Sequence, residues 1–173
     1  AKILKAVYDG VIQKFMAGKG PHAAACYLQT CLERLIAGKY PLEMLVITKT
    51  LKPESSYVNP TGVAHLVLAK RMGERDPGNQ PQSNDRIPYV YIVTQQKKAL
   101  QGDRIEHPDY VRKQQLAIDY EYYITNQIQK PVKQIFDLVP NFNSQDLFQP
   151  VLRKVRNQKE KQMSMESFTR KFR

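Results

Sequence analysis

Apolar side chains recur every three to four positions in two stretches at the start of the chain. The first stretch covers residues 3–16 and the second covers residues 21–36, with Gly18 and Gly38 following them. This spacing is that of an amphipathic helix, and glycine is a typical residue just after a helix end. The pattern therefore predicts a helical hairpin over residues 1–40.

The period changes after this hairpin. Residues 44–48 and 89–93 are short runs rich in β-branched, aromatic and other apolar residues, and each predicts a strand. Residues 74–88 contain three prolines, so they predict a loop, and residues 95–107 predict a polar surface loop.

Further helices follow from capping signals. Asn59, which precedes a proline, predicts a helix start, and that helix should end near Gly73. Asp119 predicts a helix whose apolar stripe runs to residue 139, so Pro131 either kinks one helix or starts a second. Ser144 predicts the cap of a last helix. The fold class predicted is mainly α with a small β component (α+β), containing two or more short strands.

Charge limits the classes of partner. The 173 residues include 27 Lys and Arg against 16 Asp and Glu, which gives a net charge of +11. Residues 153–173 form a basic tail with eight basic and two acidic residues. This excess favours polyanionic partners but does not separate nucleic acid from an anionic membrane surface. Two cysteines fit a reducing compartment, and the initial Ala suggests a piece of a longer protein.

No catalytic pattern stands out along the chain. The carboxylates are scattered, without the close pair that a metal-dependent phosphoryl-transfer site needs, and no phosphate-binding glycine loop is present. We therefore expect no catalytic residue and no metal ligand in this chain, and we expect a binding function.

Four segments together resemble one enzyme family. They are residues 45–49 (LVITK), 65–78 (HLVLAKRMGERDPG), 84–92 (NDRIPYVYI) and 118–132 (IDYEYYITNQIQKPV). In this order and spacing they resemble the C-terminal end of the palm and the thumb of family B DNA polymerases. The delta-type replicative enzymes and their relatives in large DNA viruses are the most similar.

The resemblance implies which domains of a larger enzyme this chain contains. Residues 1–40 would be the C-terminal part of the palm, residues 41–152 the helical thumb domain and residues 153–173 a basic tail. The family's catalytic motifs are not in this chain. The full-length protein would be a viral, DNA-directed DNA polymerase that uses two Mg²⁺ ions held by the palm, and this chain would be inactive alone. It would grip the primer–template duplex.

A thumb contacts phosphates and the minor groove without choosing a sequence, which calls for basic and neutral donors. The residues that the resemblance assigns to DNA binding are Thr48, Lys49, Lys52, His65, Lys70, Arg71, Arg75, Ser83, Asn84, Arg86 and Tyr122. Asn84 replaces the family's glycine, so the backbone at this turn need not match the family's, although asparagine tolerates a left-handed φ better than most residues. Arg75 and Arg86 have a structural alternative, which is pairing with nearby aspartates to hold the loop over residues 74–88.

The tail also carries a short docking motif. Gln162, Met165 and Phe168 fit most of the pattern with which replication proteins bind a sliding-clamp processivity factor. The expected partners are therefore duplex DNA, the rest of the polymerase and a sliding clamp, without a membrane. The expected location is intracellular, in the host cytoplasm (a viral factory) or the nucleus.

Two other classes of function compete with this interpretation. The first is a stand-alone, sequence-independent nucleic-acid-binding module, which leaves the ordered family segments unexplained. An amphipathic membrane-surface protein would need a continuous apolar face, and residues 156–167 are too polar for one.

Overall fold

The computed structural model describes residues 1–171, which form two compact units. Unit 1 consists of Ala1–Leu45 together with the chain from Tyr120 onward, and unit 2 consists of Val46–Asp119. The described residues are mostly helical with one three-stranded antiparallel sheet, so the predicted α+β class is confirmed. The assignment of residue ranges to palm, thumb and tail stays a prediction.

Unit 1 is helical. Its elements are α1 (Lys2–Met16), α2 (Gly20–Ile36), α5 (Tyr120–Tyr122), a π-helical segment (Tyr123–Ile128), α6 (Gln129–Asp137) and α7 (Gln149–Lys171). The predicted hairpin is confirmed, because α1 and α2 pack against each other through their apolar faces. At Gly10 a Cβ atom would lie 2.1 Å from Tyr27 Oη, so the Tyr27 ring packs directly against this glycine and would have to move to admit a side chain.

The core of unit 1 follows the predicted periodicity. Tyr123, Ile128, Val132 and Phe136 are fully buried on one stripe. Pro131 lies in the first turn of α6, directly after the π-helical segment. The chain is helical without a break from Tyr120 to Asp137, so Pro131 lies inside a continuous helical run and cannot donate the N–H bond of that position. The π-helical segment directly before it is the irregularity that accompanies this proline.

The connection to the last helix differs from the prediction. The helix before it ends at Asp137, and α7 begins at Gln149, so Ser144 is not its cap. Ser144 is buried and its hydroxyl donates to Oδ1 of Asp137. A carboxylate accepts a stronger hydrogen bond than a neutral group, and folding brings this one within reach.

Unit 2 combines a small sheet with two helices. Its elements are β1 (Ile47–Thr50), α3 (Ala64–Arg75), β2 (Arg86–Tyr91), β3 (Ile105–Glu106) and α4 (Pro108–Gln114). The strand order is β1-β2-β3 and both pairings are antiparallel.

The predicted strands are displaced along the chain. The first begins at Ile47 rather than at residue 44, because Leu42–Met44 form a 3₁₀ turn after a proline. The second spans Arg86–Tyr91 rather than residues 89–93. An apolar run indicates which positions are buried, but the residues at which a strand begins and ends depend on the strand that pairs with it.

The helix predicted after Asn59 also starts later. Pro60–Gly62 form a 3₁₀ turn, and Asn59 accepts a hydrogen bond from the Thr61 hydroxyl instead of capping a helix. The helix itself, α3, begins at Ala64 and continues past Gly73 to Arg75. The asparagine side chain therefore bonds to a hydroxyl two residues away and not to the first turn of the helix.

The polar loop predicted over residues 95–107 is only partly correct. Its end forms β3, in which Ile105 and Glu106 are both buried. Residue 105 lies opposite Tyr91 and residue 106 lies opposite Val90. Pairing with the central strand therefore buries a segment that its polar composition assigned to the surface.

Candidate nucleic-acid interface

One end of the β1–β2 pair brings together several of the predicted DNA-binding residues. We call this group the strand-end patch; its members are Lys49, Lys52, Ser83, Asn84 and Arg86, all exposed. Thr50 of β1 lies opposite Arg86 of β2, and Lys49 lies opposite Ile87. Beyond the strands, the Leu51 N–H donates to the Asp85 carbonyl at 2.7 Å. The pairing therefore joins segments that are more than 30 residues apart in sequence.

A tight turn positions the second half of the patch. Asn84 has φ 75°, a left-handed backbone that asparagine tolerates better than most residues. Its N–H donates to the Leu51 carbonyl at 2.7 Å, and the Gln82 N–H donates to Oδ2 of Asp85 at 2.8 Å. Asp85 thus holds the turn through a neutral N–H group and makes no ion pair with Arg86 among residues 1–171.

The three cations of the patch have no anionic partner within the described chain. None of the ion pairs among residues 1–171 involves Lys49, Lys52 or Arg86. Exposed cations without intramolecular partners can bind an external anion without first breaking an internal contact. Thr48, which precedes Lys49, is only partly exposed and lies opposite Pro88.

His65 supports the segment that follows β1. Its Nε2 lies 3.2 Å from the Tyr57 hydroxyl, and that hydroxyl accepts the Lys52 backbone N–H at 2.8 Å. Burial lowers the pKa of His65, so the ring is neutral near pH 7. These contacts give His65 a structural role in orienting Lys52.

Lys70 has an intramolecular partner. Its Nζ lies 2.6 Å from Oε1 of Glu54, and the two side chains are 50% and 55% exposed. Exposed pairs of this kind contribute roughly 0–1 kcal/mol, so a phosphate could replace the carboxylate at little cost. Lys70 therefore stays a predicted DNA contact, but unlike the cations of the strand-end patch it must first leave a carboxylate.

Arg71 and Arg75 face a buried carboxylate. Arg75 donates two hydrogen bonds to Glu106, at 2.8 and 2.9 Å, and Arg71 Nη2 lies 3.4 Å from the same carboxylate. Arg71 also donates to the carbonyls of Gly102 and Ile105, at 3.0 and 2.7 Å. The Glu106 side chain is 4% exposed, while those of Arg71 and Arg75 are 25% and 32% exposed.

A cation–π contact completes this arrangement. The guanidinium carbon of Arg75 lies 3.6 Å from the centre of the Tyr110 ring. The pairing of Arg75 is thus structural, as the alternative interpretation held, but its partner is Glu106 and not a neighbouring aspartate. Sequence reasoning missed Glu106, because a single acid in a polar stretch carries no signal of burial until its strand partner is known.

Tyr122 belongs to unit 1, outside the sheet that carries the strand-end patch. Its ring contacts Tyr123 edge-on, with centroids 5.7 Å apart. Tyr123 is fully buried and its hydroxyl donates to the Leu45 carbonyl at 2.7 Å, which confirms its expected core position. The DNA contact of Tyr122 stays a prediction.

The docking motif of the tail lies on α7. Met165 and Phe168 are 72% and 66% exposed, one helical turn apart. Gln162 is also exposed, one turn before Met165. The motif residues therefore share one accessible helix face.

The described residues contain neither a metal-binding cluster nor a membrane-spanning helix. Residues 1–171 contain no group of three His, Cys, Asp or Glu side chains placed to hold a metal ion. The described residues therefore do not fit the two Mg²⁺ ions of a polymerase palm. Within that range, no helix is both long and apolar enough to cross a membrane.

Comparison with known proteins defines the class. The family model described as DNA polymerase family B matches residues 1–139. The chain therefore belongs to DNA polymerase family B, as its four ordered segments indicated.

Individual relatives include polymerases of large DNA viruses and of the delta type. The chain is 42% identical over 159 residues to the DNA polymerase of Pyramimonas orientalis virus, covering 88% of this chain and 13% of that protein. It is 46% identical over 144 residues to the DNA polymerase of Acanthamoeba polyphaga mimivirus, covering 80% and 8%. It is 34% identical over 146 residues to the DNA polymerase delta catalytic subunit of Glycine max, covering 84% and 13%. The expected similarity to viral and delta-type enzymes is confirmed, and the chain spans only a small fraction of each relative.

A solved structure shows the same fold. The family B DNA polymerase from the archaeon Pyrobaculum calidifontis superposes with a TM-score of 0.59 at 22% identity. The match covers 82% of this chain and 18% of that protein.

Proposed function

We propose that this chain is the thumb-side, C-terminal portion of a viral replicative family B DNA polymerase. In this role it grips the primer–template duplex through phosphate and minor-groove contacts during template-directed DNA synthesis. Family membership and the similarity to viral polymerases support the proposal. Residues 1–40 would end the palm, residues 41–152 would form the thumb and residues 153–173 would form the tail.

The strand-end patch carries the proposal. Lys49, Lys52 and Arg86 are exposed and lack intramolecular anions among residues 1–171. Ser83 and Asn84 add neutral donors beside them. Such a set can bind phosphates of any sequence, since no element of the patch presents a helix that would enter the major groove. A duplex held in this way can advance after each nucleotide addition.

Catalysis belongs to the full-length protein in this proposal. Two Mg²⁺ ions held by palm residues outside this chain would stabilise the charge that develops during phosphoryl transfer. The residues of this chain bind and orient the duplex, and they perform no chemical step. We expect no nucleotide incorporation by residues 1–173 alone.

The test is a salt titration of duplex binding. We expect the chain to bind duplexes of unrelated sequence equally, and the three patch cations should contribute about −2.7 to the slope of log affinity against log salt. The double substitution Lys49→Ala with Arg86→Ala should flatten the slope by about 1.8. The control Lys19→Ala with Lys39→Ala removes the same charge from exposed positions in unit 1 and should leave the slope unchanged.

Two results would contradict the proposal. One is binding whose affinity does not change with salt, and the other is a strong preference for one sequence. The stand-alone binding module makes the same binding prediction, so a further observation separates them. If the gene encodes the family's catalytic motifs upstream of Ala1, the chain is part of a polymerase; if it does not, the stand-alone module is favoured.

We also propose that the tail docks on a sliding clamp. The exposed, one-turn spacing of Met165 and Phe168 supports this second contact. Phe168→Ala should weaken binding of the chain to the cognate clamp by at least about 10-fold, because truncating an aromatic anchor costs about 2 kcal/mol or more. Leu138→Ala, which removes an apolar side chain that is also exposed (83% against 66% for Phe168) but lies outside the motif, should not weaken binding. Equal effects of the two substitutions would contradict docking through the motif.

A further inference from the structure

Two adjacent lysines lie in the excursion between β2 and β3. We call residues 94–100 the lysine loop, because it presents Lys97 and Lys98, both exposed. None of the ion pairs among residues 1–171 involves either lysine. The loop therefore presents two positive charges that the described chain leaves without an anionic partner.

Hydrogen bonds constrain the lysine loop at both of its ends. Where the chain leaves β2, the Ile92 N–H donates to the Arg104 carbonyl and the Val93 N–H donates to the Ala117 carbonyl, both at 2.9 Å. Where the loop ends, the Leu100 N–H donates to Oδ2 of Asp103 at 3.1 Å. These bonds constrain both ends of the loop.

Helix α3 holds the returning segment. Gly102 is buried against this helix, and a Cβ atom there would lie 2.6 Å from Val67. Arg71 donates to the Gly102 and Ile105 carbonyls, and the buried carboxylate of Glu106 fixes Arg75 beside it. Two arginines that the resemblance assigned to DNA thus anchor a loop that itself presents two lysines.

We propose that the lysine loop is a second phosphate-binding surface for duplex DNA, an inference that rests on the proposed function. A lysine ammonium is a compact charge that contacts phosphates without reading bases. Because the base of the loop is already ordered, binding orders fewer residues than it would in a free loop, and less conformational entropy opposes it. The strand-end patch and the lysine loop together then give unit 2 two separate contacts with the DNA backbone.

Salt titration of the whole 173-residue chain with duplex DNA tests this inference. Lys97→Ala with Lys98→Ala should flatten the slope of log affinity against log salt by about 1.8. Lys97→Arg with Lys98→Arg should keep the wild-type slope, because it preserves both charges. Lys19→Ala with Lys39→Ala serves again as the control of equal charge. All of these positions are exposed, so the thermal unfolding midpoint should not change.

The outcomes separate this inference from the proposed function. If the wild-type chain fails to bind duplex DNA, the proposed function is wrong and this inference is wrong with it. If binding is normal and only the strand-end substitutions change the slope, the proposed function stands and the lysine loop is not a contact. If the Lys97 and Lys98 substitutions act no more strongly than the control pair, the effect is one of net charge and the inference is likewise wrong.

Discussion

Glu106 offers the sharpest test of how unit 2 is held together. The substitution Glu106→Gln keeps the size of the side chain but removes its charge, leaving Arg71 and Arg75 without their carboxylate. Breaking a buried ion pair costs about 3–5 kcal/mol. Because the two arginines keep 25% and 32% of their side-chain surface exposed, water offsets part of this loss. We expect the free energy of unfolding to fall by about 2–4 kcal/mol.

Urea denaturation followed by far-UV circular dichroism measures this change, since the chain has no Trp to serve as a fluorescent probe. Hydrogen exchange at the backbone amides of β2 and β3 should show the loss within unit 2. A double-mutant cycle with Arg75→Met should give a coupling energy of about 1–3 kcal/mol.

The exposed pair of Lys70 and Glu54 provides the control. Glu54→Gln removes a carboxylate at a similar ion-pair distance but at 55% exposure, so it should cost no more than about 1 kcal/mol. If Glu106→Gln costs as little as Glu54→Gln, the buried carboxylate does not stabilise unit 2. The structural role assigned to Arg71 and Arg75 would then be wrong.

Three further predictions concern individual contacts. Tyr123→Phe removes the 2.7 Å hydrogen bond to the Leu45 carbonyl and should lower the free energy of unfolding by about 1–2 kcal/mol in urea denaturation; an unchanged value would contradict it. Gly102→Ala places a methyl group against Val67 and should cost about 1–3 kcal/mol, and Val67→Ala in the same chain should recover part of that loss. Burial lowers the pKa of His65, so the unfolded chain takes up its proton at a higher pH than the folded chain does. Stability should therefore fall as the pH drops below the unfolded-state value of about 6.5, and His65→Gln should weaken this dependence; the same pH profile in both chains would contradict it.

Sequence periodicity was sufficient for the helical parts of unit 1. The spacing of apolar residues predicted α1 and α2 to within two residues, and it placed Tyr123 in the core. These features depend on which face of a helix is apolar, and residues three to four positions apart in the sequence determine that face. The sequence also indicated that Asn84 tolerates a left-handed backbone, but that the turn requires one is seen only in the structure.

Sequence similarity predicted the family and most of the strand-end patch. Lys49, Lys52 and Arg86 lie in segments that match the family, and the antiparallel pairing brings them together. The order of the segments named these residues, but only the strand pairing shows that they lie together. Whether these cations contact DNA stays a prediction.

Only the tertiary structure identified the partners of the remaining charges. Arg75 and Glu106 are 31 residues apart, and the pairing of β2 with β3 buries the carboxylate beside α3. Ser144 likewise donates to a carboxylate from the end of the preceding helix rather than capping its own. Local propensity describes the energy of a residue and its near neighbours, whereas a buried ion pair depends on which distant segments the fold brings within about 3 Å. For that reason arginines of the same predicted role have different surroundings, one exposed at a strand end and two held against a buried carboxylate.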